Sequence, residues 1–239
     1  MEAVQKLAMN LLSTQKLLFV LIVTALAIAC KKDSNQLSYP SLYYTNGIKD
    51  MQPVRAFTVN GEIKNKAVTD RIETANNFFI TPEALKSLPP VFDSIQFSSA
   101  SEAKLVGLPL IYYRDVKISQ NGNDLTLTAL SADLVEIDTT VTSEIFLSSL
   151  YYPALYNNKR NPSGPFYFYD VTRQYFARIT SADELIIPCM TIMVPNSLGS
   201  TWVSNPINNR FNSGFNFKLL GSKDTFVVRE YSLIMQKAQ

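Results

Sequence analysis

Hydrophobic and polar positions follow three rhythms along this chain. Leu17 to Ala29 (LLFVLIVTALAIA) is one unbroken uncharged run. It is too short to cross a bilayer comfortably as a helix and about the length of an export-signal core. Between residues 67 and 79, Val68, Ile72, Ala75 and Phe79 recur at helical spacing, which predicts a helix with one buried stripe. Thr81-Pro82-Glu83 has the form of an N-cap, a first-turn proline and a first-turn acid, opening a short helix that Pro89-Pro90 stops. Elsewhere the period is two. PVRAFTV (53–59) reads as a strand ending at the turn signal Asn60-Gly61, and FDSIQFS and EAKLVGL read as two more. IYYRDVKIS and DLTLTALS flank Asn121-Gly122-Asn123, so residues 111–131 predict a hairpin turning at Asn121-Gly122. LVEIDTTVTSEIFL fits a strand running into an exit loop or a short helix. FYFYDV, QYFARIT, ELIIPCMTIMV, GFNFKLL and TFVVREYSLIMQ continue the series, with turns at Ser181-Ala182-Asp183 and Gly221-Ser222-Lys223-Asp224.

About eight to ten short antiparallel strands with one or two helices make a mainly β fold, a barrel or a sandwich. Closure removes exposed edges, which favours the barrel. The organisation that follows is an export signal over 1–29, Cys30 and a tether over 30–52, and a single β-rich domain over 53–239. The tether reading rests on polar KKDSNQ and on Pro40, with aromatics only from Tyr39 onward.

The end of the apolar run carries the sharpest chemistry. Ala27-Ile28-Ala29-Cys30 resembles the lipobox of bacterial lipoproteins, departing from it in having Ala at the first position, with Leu26 one residue upstream. The resemblance implies a diacylglycerated Cys30 thiol, cleavage before it and acylation of the new amine, because several chains anchor firmly where one does not. An ordinary secretory peptide that leaves a free thiol, or an uncleaved anchor, are the other readings. Met9 (MNLLSTQK) offers a second start with a more ordinary signal length. The layout over 53–239, the Asn, Tyr and Phe richness and the ACKKD tether resemble lipocalin-like domains in small lipoproteins of the Bacteroidota. No motif of fixed residues carries that resemblance, and the only tryptophan, Trp202, lies far from the start of the barrel.

Composition narrows the function classes. There are 22 Lys and Arg against 20 Asp and Glu, so the chain lacks the basic footprint of a nucleic-acid binder. With no His, Ser-His-Asp and Cys-His catalysis, HExxH chemistry and His-ligated haem are excluded. No metal site and no cofactor is expected, and Cys189, inside LIIPCMTIMV, reads as a small buried hydrophobe.

Two stretches are candidates for binding. In Phe166-Tyr167-Phe168-Tyr169 the tyrosines alternate off the buried face and are joined by Tyr175; ordinary amphipathic packing produces the same pattern. The loops 151–165 and 195–214 are long and polar, and the second holds Trp202 and Arg210, residue types common at binding hot spots. A place where these two loops meet is the first site to inspect. Glu136 and Asp138, two apart with Asp133 before them, form a carboxylate pair that a solvated strand face explains equally well. Asn121, Asn123 and Asp124 are turn residues rather than a calcium loop.

The sequence therefore predicts a lipid-anchored, non-catalytic β-rich module of the cell envelope, in the outer membrane. Its ligand is a small molecule or glycan, held in the barrel interior or at the mouth formed by the two loops. The alternative is an accessory subunit of a surface assembly, with an envelope protein as partner. A carboxylate-dependent enzyme comes third.

Overall fold

The computed structural model describes residues 36–75, 93–107, 112–138, 141–153, 155–159, 166–195 and 201–239. In chain order these form β1 (Ser41–Lys49), β2 (Arg55–Thr58), β3 (Gly61–Glu62), helix α1 (Lys66–Ala75), β4 (Ser94–Phe97) and β5 (Glu102–Gly107). There follow β6 (Tyr112–Asn121), β7 (Asp124–Ala129), β8 (Asp133–Asp138), helix α2 (Val141–Ser149) and β9 (Leu155–Lys159). The last elements are β10 (Phe166–Thr172), β11 (Gln174–Ser181), β12 (Glu184–Pro195), β13 (Thr201–Ile207), a 3-10 turn at Phe217–Leu219 and β14 (Phe226–Lys237).

Eight strands close on themselves in the order β1-β4-β5-β6-β7-β11-β12-β14, each antiparallel to its neighbours. The order around the barrel is the order in sequence, so this is an up-and-down barrel. Alternation drives it: in β7, Leu125, Leu127 and Ala129 are buried while Thr126 and Thr128 are half-buried. The interior is packed with side chains, among them Ile95, Phe97, Leu127, Ile179, Leu185, Ile187 and Met235. Tyr43 stands edge-on to Phe97, 5.6 Å between ring centres, and its hydroxyl donates to Ala182 O at 2.6 Å. Burial pushes that phenol up to about 12. The barrel interior, one of the two expected ligand sites, is thus filled by the protein's own core.

Up-and-down direction sorts the connections by length. The links 98–101, 122–123 and 182–183 share one end, which is plain. The three long links, 50–93, 130–173 and 196–225, all leave from the other end. That elaborated rim is built largely on two strands. β12 and β14, each of 12 residues, run as barrel staves in one half and continue beyond the barrel in the other. There they form a second sheet in the order β13-β12-β14-β2-β3.

One face of this rim sheet carries Met190, Ile192, Val194, Phe226 and Val228 under Ile145 of α2 and the rings of Phe57, Phe211 and Phe215. Arg55 lies over the Phe57 and Phe211 rings at 5.1 Å each. Its hydrogen bond to Glu62, 2.7 Å, draws that carboxyl down to about 2. The opposite face sets Val54, Ala56, Met193 and Val227 against Ile72 of α1, and Arg229 on the same side pairs with Glu73. A separate three-stranded sheet, β8-β10-β9, sits within the link between β7 and β11.

Several expectations change. The stretch read as a tether holds a barrel strand: β1 begins at Ser41, and Leu37 and Tyr43 belong to the core. PVRAFTV belongs to the rim sheet. The helix forms, with Asn65 Oδ1 accepting from Ala67 N at 3.0 Å as its cap. Its stripe is shallower than expected: Val68 and Ile72 are half-buried and Ala75 is exposed, because α1 lies on the edge of a small cluster. GFNFKLL is no strand; Phe215 and Phe217 join the aromatic cluster from an irregular segment and the 3-10 turn. Both supposed long loops contain strands, β9 and β13. The hairpin forms with Asn121 opposite Asp124 and with Gly122 at φ 58 in the turn. LVEIDTTVTSEIFL resolves into β8 and α2. Residues 1–29, Cys30, Phe79 and the helix expected at Thr81 lie outside the described residues.

Candidate functional site

At the rim the β11–β12 ladder stops early. The register runs through Ile179↔Leu185 and Arg178↔Ile186 and goes no further. Two residues on, Pro188 has no N–H to offer Phe176. The carboxamide of Asn208, just after β13, fills the gap. Its Oδ1 accepts from Phe176 N at 2.6 Å, and its Nδ2 donates to Phe176 O at 3.0 Å and to Pro188 O at 2.9 Å. Asn208 is buried, so these bonds replace a missing ladder rung rather than decorate a surface.

Asn209 makes the next connection. Its Oδ1 accepts from Tyr152 N at 3.0 Å and its Nδ2 donates to Tyr152 O at 2.9 Å. Tyr151 N donates to Arg210 O at 2.9 Å, and Leu150 bridges Phe211. The two stretches singled out in the sequence therefore do meet, at residues 150–153 and 207–211. The clamp lays the Tyr152 ring flat on Phe176, with centres 3.7 Å apart and planes at 15°. Beside this stack lies a groove of about 300 Å³. Phe146 and Leu150 of α2, Tyr152, Pro153, Val171 to Phe176 and Ile207 to Asn209 line it.

Among the described residues that line the groove, one is charged, Arg173. Its Nε donates to Asp133, and Arg114 Nη2 lies 3.0 Å from the same carboxylate. Arg114 occupies an inward position of β6 at the barrel mouth, opposite Leu105, and is 9% exposed. Burial raises the Asp133 carboxyl, but hydrogen bonds from Arg173 and Arg114 more than offset this and leave it below its ordinary value. The triad ties the barrel to the β8-β10-β9 sheet. A second depression, about 290 Å³, opens nearby between Asp50, Arg178, Arg210 and Glu230. There Arg178 pairs with Asp124 at 2.8 Å and Glu230 accepts from Phe211 N at 3.0 Å.

Of the residues expected at a site, Tyr175 lines the groove and Arg210 the neighbouring depression. Tyr169 is half-buried on β10 and does not line the groove. Tyr167 and Trp202 lie on β10 and β13, opposite Ile137 and Val194, with their side chains outside the described set. The register sets the tyrosine positions of β10 across from Val135 and Ile137, and Phe168 and Phe166 across from Glu136 and Asp138. Asp133 is held by two arginines, and Asp124 by Arg178. Cys189 is fully buried and its thiol is pushed up by burial, as a core residue's is. Among the described residues no three His, Cys, Asp or Glu side chains gather as a metal site would require. Asn208, Asn209, Phe176 and Arg173 went unread in the sequence, and Tyr152 was read only as part of the loop 151–165. One signal was available: a proline inside a run that otherwise reads as a central strand marks a broken ladder. Comparison with protein-family models, curated proteins and solved structures finds no match, so this geometry is what a functional reading of the chain has to stand on.

Proposed function

We propose that this protein is a lipid-anchored binding module of the cell envelope, holding a small ligand in the rim groove and catalysing nothing. The observation that carries the reading is the groove itself: about 300 Å³, walled by a Tyr152-Phe176 stack, at the end where every long link converges. Its volume is at the lower end of ligand sites, suited to a small organic molecule. The absence of His and, among the described residues, a single charged one in the lining support a non-catalytic role. The test is a titration of envelope lipid and glycan extracts, followed by the emission of the single tryptophan, in wild type and in Tyr152→Ala. Binding that Tyr152→Ala weakens at least tenfold while the fold holds supports the reading. Equal binding in the two proteins moves the site elsewhere.

The anchor rests on the lipobox. Six residues, 31–36, separate Cys30 from Leu37 in the sequence. Cys30→Ser is expected to move the protein from the membrane fraction to the soluble fraction; retention in the membrane after signal cleavage defeats the anchor.

An accessory role in a surface assembly is the second reading. It draws on large apolar side chains left open on the outside, namely Tyr44, Tyr113, Leu130 and Leu134, of which Tyr113 is 64% exposed. Recovery of one stoichiometric envelope protein, lost on Tyr113→Ser with Leu134→Ser, favours it over the ligand reading.

A further inference from the structure

We infer that the groove takes a ligand with an apolar body and one carboxylate, the carboxylate seated on the guanidinium of Arg173. This rests on the groove being the binding site and names the class of molecule it holds. Two guanidiniums, Arg114 and Arg173, lie against the carboxylate of Asp133. Arg114 is 9% exposed and Arg173 is 50% exposed, so Arg173 is the one that can face a ligand. Its Nε is committed to Asp133. Both Nη groups remain, and among the described residues neither has a hydrogen-bond partner. A guanidinium with both Nη groups open presents the parallel pair of donors that a carboxylate accepts bidentately.

The Asp133 bond also fixes the plane of the fork, which lowers the ordering cost of using it. Phe146, Leu150, Pro153, Val171 and Phe176 make part of the wall apolar, beside Thr172, Gln174, Asn208 and Asn209. The guanidinium fork matches the single charge and paired oxygens of a carboxylate, and the apolar part of the wall matches the ligand's apolar body.

The test compares 2-naphthoate with its neutral isostere 2-naphthamide by calorimetry on the folded protein, with acetate as the head group alone. Naphthoate is expected to bind at least about tenfold tighter than naphthamide, the size of a charge-assisted hydrogen bond, and acetate far more weakly than either. Arg173→Gln should abolish the preference by weakening naphthoate at least about tenfold more than naphthamide. Arg173→Lys, which keeps an ion pair to Asp133, guards against loss of fold and should lose most of the preference with the fork. Equal affinities for acid and amide, or a preference that survives in both variants, overturn the carboxylate seat and leave the groove standing. If neither naphthyl probe binds, the seat and the groove reading fall together. Tight acetate binding that is insensitive to Tyr152→Ala means an anion site without an apolar body and overturns the inference as well.

Discussion

Asn208→Ala is expected to destabilise the protein by about 3 kcal/mol, read as a lowered urea midpoint with an unchanged slope. The truncation strips a partner from three backbone groups at once: Phe176 N–H, Phe176 C=O and Pro188 C=O. Each costs roughly 1–3 kcal/mol if left dry, and water entering from the groove recovers part of that. Asn208→Asp is the informative companion. A carboxylate can still accept from Phe176 N–H, but it cannot donate to two carbonyls and would face them with negative charge, so it should be at least as damaging. Asn209→Ala removes bonds to Tyr152 nearer the surface and should cost about 1 kcal/mol less than Asn208→Ala. If Asn208→Ala lies within about 0.5 kcal/mol of wild type, a surface-like value, the carboxamide is not the missing rung.

Asp133→Ala is the second large effect, at about 3 kcal/mol, because it takes the Asp133 carboxylate away from the buried Arg114 charge. Asp124→Ala breaks the Arg178 pair, in which both side chains are more than half exposed, and should cost under about 1 kcal/mol. Acid unfolding gives an independent check. The Asp133 carboxyl is lowered in the folded protein, so its stabilisation is complete above the ordinary aspartate value of about 4 and is lost as pH falls through its folded value. Asp133→Asn should therefore shrink the stability difference from wild type as pH drops below about 4. A difference that stays constant with pH, or an Asp133→Ala no worse than Asp124→Ala, contradicts the triad.

What the sequence discloses here follows from where each signal is stored. The β6–β7 hairpin was legible because Asn121-Gly122 and the flanking alternation are local. β12 was legible as one long apolar run because both of its faces are buried. That same run conceals the passage of the strand out of the barrel, since period two is kept in both surroundings. β1 was missed because its inward residues, Tyr43 above all, become core only when β4 and β14 close around them. For the site, the meeting of the two stretches was legible from their length and aromatics, and Tyr175 and Arg210 lie near it. Asn208 and Arg173 were not, since one serves a gap made by Pro188 and the other a carboxylate 40 residues away; neither pairing leaves a trace in its own neighbourhood.

The strands common to barrel and rim sheet limit how such a protein can change over generations. A break anywhere in 184–195 or 226–237 severs a stave and a rim strand together, so neither body can be borrowed without the other. Novelty is channelled into the three long links, where insertion alters the groove and leaves the staves intact. The plain end, closed by short turns, holds still while the other is rewritten.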